Sequence, residues 1–134
     1  MTGEGSAVMI VDDDDSMRRA ARRLVRSYGL AVDTFASAEG FLASGRLDKT
    51  ARLVLDGHMP GLSGLELQSK LIEGGHHIPI IFITAFADER SRALALELGA
   101  YAYLIKPFNE VDLLQGIRRA LRPRNTSSCK EPLR

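Results

Sequence analysis

Apolar residues in this chain fall into two alternating patterns. One is the short unbroken run. The other is a longer stretch in which apolar positions recur every three or four residues. Residues 8–11 (VMIV) form a run of the first kind, which predicts a buried strand. Residues 16–28 follow with Met17, Ala20, Ala21, Leu24 and Val25 at helical spacing, and Gly29 stands where a helix end favours a left-handed residue. Residues 31–35 predict a second strand, and Ser37 can cap a short helix over 38–43. Residues 53–55 predict a third strand that stops at Asp56. Ser63-Gly64-Leu65-Glu66 has the spacing of a capping box and opens a helix to about Ile72, before Gly74 and Gly75. The run IPIIFIT, residues 78–84, is the strongest strand signal. A helix over about 88–98, a strand over 101–105 and a helix over 110–121 complete the series. In the last helix, capped by Asn109, the expected apolar face is Val111, Leu114, Ile117 and Leu121.

Five strands alternating with five helices predict an α/β domain. The strands lack apolar–polar alternation, as expected when helices cover both faces of a parallel sheet. The expected domain spans residues 8–121, with flexible segments over 1–7 and 122–134.

Composition narrows the class. A chain of 134 residues suits one domain with a real core. Its formal net charge of +1 gives no strong bias toward nucleic acid or membrane. The single cysteine, Cys129, cannot form an internal disulfide, and no Cys/His cluster suggests zinc. A cytoplasmic location fits best. The first residues do not resemble a signal peptide, and no apolar run approaches the roughly 20 residues of a membrane span.

Ligands of open parallel sheets bind outside the carboxyl ends of the strands. Those ends carry Asp12 and Asp13, then Asp56, then Thr84 and Ala85, then Lys106 and Pro107. Three carboxylates brought together repel unless a cation joins them. Oxygen ligands favour a hard cation, magnesium above all, with manganese as an alternative. Thr84 and Lys106 supply donors, so the set suits an oxyanion built on Asp56, such as an acyl phosphate. Asp14 and Asp15 fall at a helix start, where negative charge is favourable.

In this order, the stretches VDD, LVLDGHMPGLSG, IIFITA and YLIKPF resemble the receiver domain of two-component response regulators, over roughly residues 8–121. The likeness extends to receivers of regulators that control nitrogen-fixation genes. It implies a flavodoxin-like, doubly wound five-stranded parallel sheet of order 2-1-3-4-5. It implies that Asp56 is the phosphoacceptor, served by a sensor histidine kinase or a histidine phosphotransfer protein. By the same resemblance, Asp13 and Asp56 ligate Mg2+ directly, Asp12 helps through water, and His58 offers its backbone carbonyl. Thr84, Lys106 and the Ala85 N–H hold phosphoryl oxygens, Thr84 and Tyr103 form the switch, and the Lys106–Pro107 bond is cis. His58 and Phe86 border the path of hydrolytic water and tune the rate. Output is expected through the face of the fourth helix, fifth strand and fifth helix, toward a downstream protein or a homodimer formed on phosphorylation. Two positions depart from the family pattern. Gly57 replaces a larger apolar residue, and Phe86 is bulky for its place.

Other readings compete. The aspartate run alone suits a solvated helix start, and Lys106 alone a surface lysine. His76 and His77 sit in a loop and are not expected to bind metal. Arg18, Arg19, Arg22, Arg23 and Arg26 suit a wet helix face. Arg118, Arg119, Arg122 and Arg124 could touch nucleic acid, but no reading helix follows them, so direct nucleic-acid binding is disfavoured. A receiver fragment of a longer DNA-binding transcriptional regulator fits the same motifs. A magnesium-dependent phosphatase with an aspartate nucleophile fits less well. It needs a carboxylate two residues after the nucleophile, where His58 stands. A receiver that only binds partners is disfavoured because all five key positions are intact. The chain is therefore expected to be a signalling domain that assists only its own phosphorylation and dephosphorylation, not an enzyme.

Overall fold

The computed structural model describes residues 7–86 and 88–121, so the expected flexible segments, apart from Ala7, lie outside the described residues. The elements are β1 (Ala7–Val11), α1 (Asp15–Ser27), β2 (Ala31–Phe35), α2 (Ala38–Ala43), β3 (Thr50–Asp56), α3 (Gly64–Glu73), β4 (Ile80–Thr84), α4 (Glu89–Glu97), β5 (Ala102–Ile105) and α5 (Glu110–Leu121). A 3-10 turn, Leu47–Lys49, precedes β3. The strands form one sheet of order β2-β1-β3-β4-β5, and every pairing is parallel. The doubly wound arrangement expected from the sequence is the one observed.

Alternation along the strands builds a core on each face. Met9, Leu53, Leu55 and Phe82 point to one side, where Phe41 of α2, Leu67 and Leu71 of α3 and Ala95 of α4 cover them. Val8, Ile10, Val54, Ile81 and Ile83 point to the other, against Ala21 and Val25 of α1 and Leu113 and Ile117 of α5. This explains why the central runs VMIV, LVL and IIFI carry apolar residues on both faces.

The helices start where side chains satisfy their first N–H groups. Asp14 accepts from the N–H of Ser16 and Met17, Ser37 from Gly40 and Asp88 from Arg90. Ser63 and Glu66 complete the capping box, and Asn109 accepts from Asp112 at 2.9 Å.

The structure corrects several expected boundaries. β1 begins at Ala7. β3 begins at Thr50, before the apolar run, because polar residues also fill its buried end. Thr50 donates its hydroxyl to the Arg46 carbonyl at 2.8 Å, and Arg52 is buried. β4 begins at Ile80 rather than at residue 78, since Pro79 has no N–H for a ladder. β5 begins at Ala102. α1 starts at Asp15 and α4 at Glu89. The buried face of α5 runs through Leu113, Leu114 and Ile117, and Val111 is 59% exposed. Ala20 of α1 is exposed as well.

Candidate functional site

The parallel register brings four strand ends to one edge of the sheet. Asp12 follows β1 and is fully buried. Its Oδ1 accepts from the Asp14 N–H at 2.9 Å. Its carbonyl accepts from Arg18 Nη1 at 2.8 Å, and Arg18 is itself paired with Asp15. Asp13 is exposed. Asp56 ends β3 and is 3% exposed. Its Oδ1 accepts from the His58 N–H at 3.1 Å. Carboxylate oxygens of Asp12, Asp13 and Asp56 lie within 4.8 Å of one another. Lys106, after β5, donates to Asp12 Oδ2 at 3.0 Å and stands 3.9 Å from Asp56 Oδ2.

Three carboxylates and one ammonium leave negative charge uncompensated. The pKa of the Asp56 carboxyl is pushed up to about 7. Loss of water on burial is the main cause, and the neighbouring Asp12 charge adds to it. The His58 N–H and Lys106 pull the other way. A cluster of three carboxylates whose oxygens lie this close together fits a small divalent cation, with magnesium the best match to an all-oxygen set. Asp12, Asp13 and Asp56 would supply the side-chain oxygens.

Thr84 ends β4 and is buried, and its Oγ1 accepts from the Phe86 N–H at 3.1 Å. Ala85 is exposed. Phe86 is 56% exposed, and its ring lies over that of His58, centroid to centroid 4.2 Å, with planes 37° apart. Tyr103 lies on β5, half-buried, with its ring 5.8 Å from that of Phe82. A void of about 20 Å³ lies beside Thr84, Phe86 and Tyr103. The Lys106–Pro107 peptide bond is cis.

The loop after β3 is held by residues that the sequence reading passed over. Glu39 of α2 accepts from the Leu62 N–H at 2.9 Å, which keeps its carboxyl below the usual carboxylate range. Gly61 has φ +75°, and a Cβ there would stand 2.7 Å from Glu39 Oε2. A Cβ on Gly64 would stand 2.6 Å from the Asp56 carbonyl oxygen, so only glycine lets α3 start this close to β3. Both glycines lie in the quoted GHMPGLSG stretch. Glu39 gave no local signal because its partner is distant in sequence. Arg18, expected on the wet face of α1, is instead half-buried with its guanidinium on the Asp12 carbonyl. Gly57 is not tight. A Cβ there would make ordinary contact, 3.6 Å from Thr84 Cβ. His76 and His77 line a cavity next to the start of β4, away from the acid cluster. Arg19, Arg22, Arg23 and Arg26 of α1 are exposed, as are Arg118 and Arg119 of α5, whereas Arg122 and Arg124 lie outside the described residues.

Residues 8–118 match the response regulator receiver domain family. Response regulator protein TmoT of Ectopseudomonas mendocina is 44% identical over 122 residues, 91% of this chain and 56% of that protein. Transcriptional regulatory protein FixJ of Azorhizobium caulinodans is 37% identical, over 88% of this chain and 56% of that protein. The chain thus spans about half the length of these curated relatives. The crystal structure of FixJ-N is 35% identical and superposes with a TM-score of 0.78, covering 86% of this chain and 92% of that one. By its motifs, its sheet order and this match, the chain belongs to the response regulator receiver domain family.

Proposed function

We propose that the chain is a phosphorylation-activated switch in which Asp56 accepts a phosphoryl group from a histidine of a sensor kinase or phosphotransfer protein. One observation carries this reading: Asp56 is buried, rich in negative neighbours, and within reach of both Asp13 and Lys106. The His58 N–H holds Oδ1 of Asp56 and leaves Oδ2 toward Lys106. In the transfer, a carboxylate oxygen bonds phosphorus as the bond to the histidine nitrogen breaks, and that nitrogen keeps the electron pair. Mg2+ would supply charge neutralisation, and Asp13, Asp56 and the His58 carbonyl would hold it, with Asp12 helping through water. Lys106, the Thr84 hydroxyl and the Ala85 N–H take the phosphoryl oxygens. Catalysis is then positioning and electrostatics. Thr84 and Tyr103 convert occupancy of Asp56 into a change in the α4–β5–α5 face, whose exposed Leu94, Leu98, Ile105 and Val111 suit a downstream protein or a second copy of the chain.

The length of the relatives favours a second, compatible reading, in which this receiver works within a longer transcriptional regulator. The phosphatase reading gains no support, because the ring two residues after Asp56 is packed on Phe86. No helix among the described residues is long and apolar enough to cross a membrane. Intact mass after incubation with Mg2+ and acetyl phosphate tests the acceptor. One phosphoryl group per chain is expected, and none on Asp56→Asn. Undiminished labelling of that variant would refute the assignment.

A further inference from the structure

Two arginines follow one another near the start of α1, and only one of them faces water. Arg19 leaves 70% of its side chain exposed and stands 3.3 Å from Asp15 Oδ2. Arg18 leaves 18% exposed. Its side chain turns back past the helix start. Nη1 donates to the Asp12 carbonyl at 2.8 Å, and Nη2 donates to Asp15 Oδ1 at 2.9 Å. The planar, forked guanidinium serves both oxygens at once, which the single nitrogen of a lysine would not do with the same geometry. Burying most of a long charged side chain costs conformational freedom and hydration. An ion pair with Asp15 does not require it, since Arg19 makes one from the outside.

The hydrogen bond from Nη1 falls on the peptide that joins Asp12 to Asp13. The other two carboxylates of the cluster are aimed by hydrogen bonds of their own. Asp12 Oδ1 accepts from the Asp14 N–H, and Oδ2 accepts from Lys106. Asp56 Oδ1 accepts from the His58 N–H. Asp13 is exposed, and its carboxylate has no hydrogen bond or ion pair among the described residues. Its direction is left to its own rotamer and to the backbone that carries it. Arg18 holds that backbone at the carbonyl whose carbon is bonded to the Asp13 nitrogen.

We propose that Arg18 is a positioning residue of the metal site, which aims Asp13 by holding the Asp12–Asp13 peptide and so favours Mg2+ over the larger Ca2+. This rests on the metal reading given above. Mg2+ demands near-octahedral geometry at about 2.0–2.1 Å, whereas Ca2+ takes roughly six to eight oxygens in looser arrangements. A misplaced carboxylate therefore weakens Mg2+ more than Ca2+. Charge alone predicts the opposite sign. Arg18 sets a positive group beside Asp12, so removing it would tighten the binding of any cation.

The test titrates MgCl2 and, separately, CaCl2 into the 15N-labelled full chain without phosphodonor, and follows the amides of Asp13 and Gly57. Arg18→Met should weaken Mg2+ about tenfold and Ca2+ no more than about threefold. Arg18→Met combined with Asp15→Asn deletes the ion pair at constant net charge, and it should show the same losses. Equal or tighter Mg2+ binding in either variant would overturn the inference. So would an equal loss for the two ions, which is what a general loosening of the fold produces. In both cases the parent still binds, and the site of Asp12, Asp13 and Asp56 stands. A parent with no saturable shift at these amides would overturn the metal reading, and this inference with it.

Discussion

The half of the site carried by β1 and β3 is buried and pinned, whereas beyond the buried strand β4 the half carried by its following loop, α4 and β5 is exposed and sparsely held. Every residue of β1 is buried, and so is every residue of β3 except Ala51. The Asp12 carbonyl is tied by Arg18, Leu62 by Glu39, and the Asp56 backbone is crowded by Gly64. On the other side, β5 has no buried residue, α4 has one, and Phe86 stands out into solvent. Stability within a fold is not uniform, and parts that must move are drawn from its weakly held end. Here the repelling charges sit where the chain cannot yield, and the groups that would report on them sit where it can.

The sharpest way to measure the strain on the pinned half is through Asp56. Its folded-state pKa of about 7 lies above the ordinary 3.8. Between those values the folded chain keeps a proton that the unfolded chain has released. Its contribution to stability is therefore full below about pH 4, falls as pH rises, and is gone above about pH 7. Without metal, Asp56→Asn should gain on the parent by about 2–4 kcal/mol between pH 4 and pH 8 in denaturant titrations. Mg2+ should narrow the gap by stabilising the parent alone. A pH-independent difference would show that the carboxylate is not strained.

A smaller effect is expected where packing, not charge, is challenged. Gly64→Ala drives a Cβ into the Asp56 carbonyl, a backbone atom that cannot step aside. Destabilisation by about 1–3 kcal/mol should follow, with weaker phosphorylation because Asp56 moves. An unchanged midpoint of unfolding would mean that the β3–α3 loop is as soft as the β4 side.

On the exposed half, the effect should be kinetic. The Phe86 ring covers His58 beside the site and cannot orient a water molecule. Phe86→Gln should speed loss of the phosphoryl group about tenfold, or ~1.4 kcal/mol off the barrier, with folding stability unchanged. Equal or slower loss would remove Phe86 as the gate. The smallest effect should come from Gly57→Ala. Its φ is not in the left-handed region and the new Cβ meets only ordinary contacts. The variant should be more stable by about 0.4–1 kcal/mol, by thermal or chemical unfolding, through a less flexible unfolded chain. A loss of stability would show that the loop beside Asp56 needs the freedom of glycine.

Much of this was legible in the sequence because strand ends and helix starts use short-range signals. The runs VMIV and IIFIT, the Ser37 and Asn109 caps and the Ser63–Glu66 box each lie within a few residues of what they specify. The acid cluster could be anticipated because a parallel sheet collects strand ends. What escaped depends on distance or on backbone. Glu39 meets Leu62 across 23 residues. Thr50 and Arg52 extend β3 although they are polar. Val111 fits a helical stripe as well as Leu113 does, and only the docking angle of α5 decides between them. The stacking of His58 on Phe86 required both loops to be placed.

The Lys106 side chain has a mechanical consequence. β5 is an edge strand, hydrogen-bonded to the sheet on one side only. Lys106 leaves its end and reaches Asp12 at the end of β1, past the ends of β4 and β3. The outer edge is thus strapped to the centre by an ion pair lying outside the ladder. A strap made of charge can be drawn off by another charge with no backbone pairing broken, so the edge can be slackened while the sheet keeps its form.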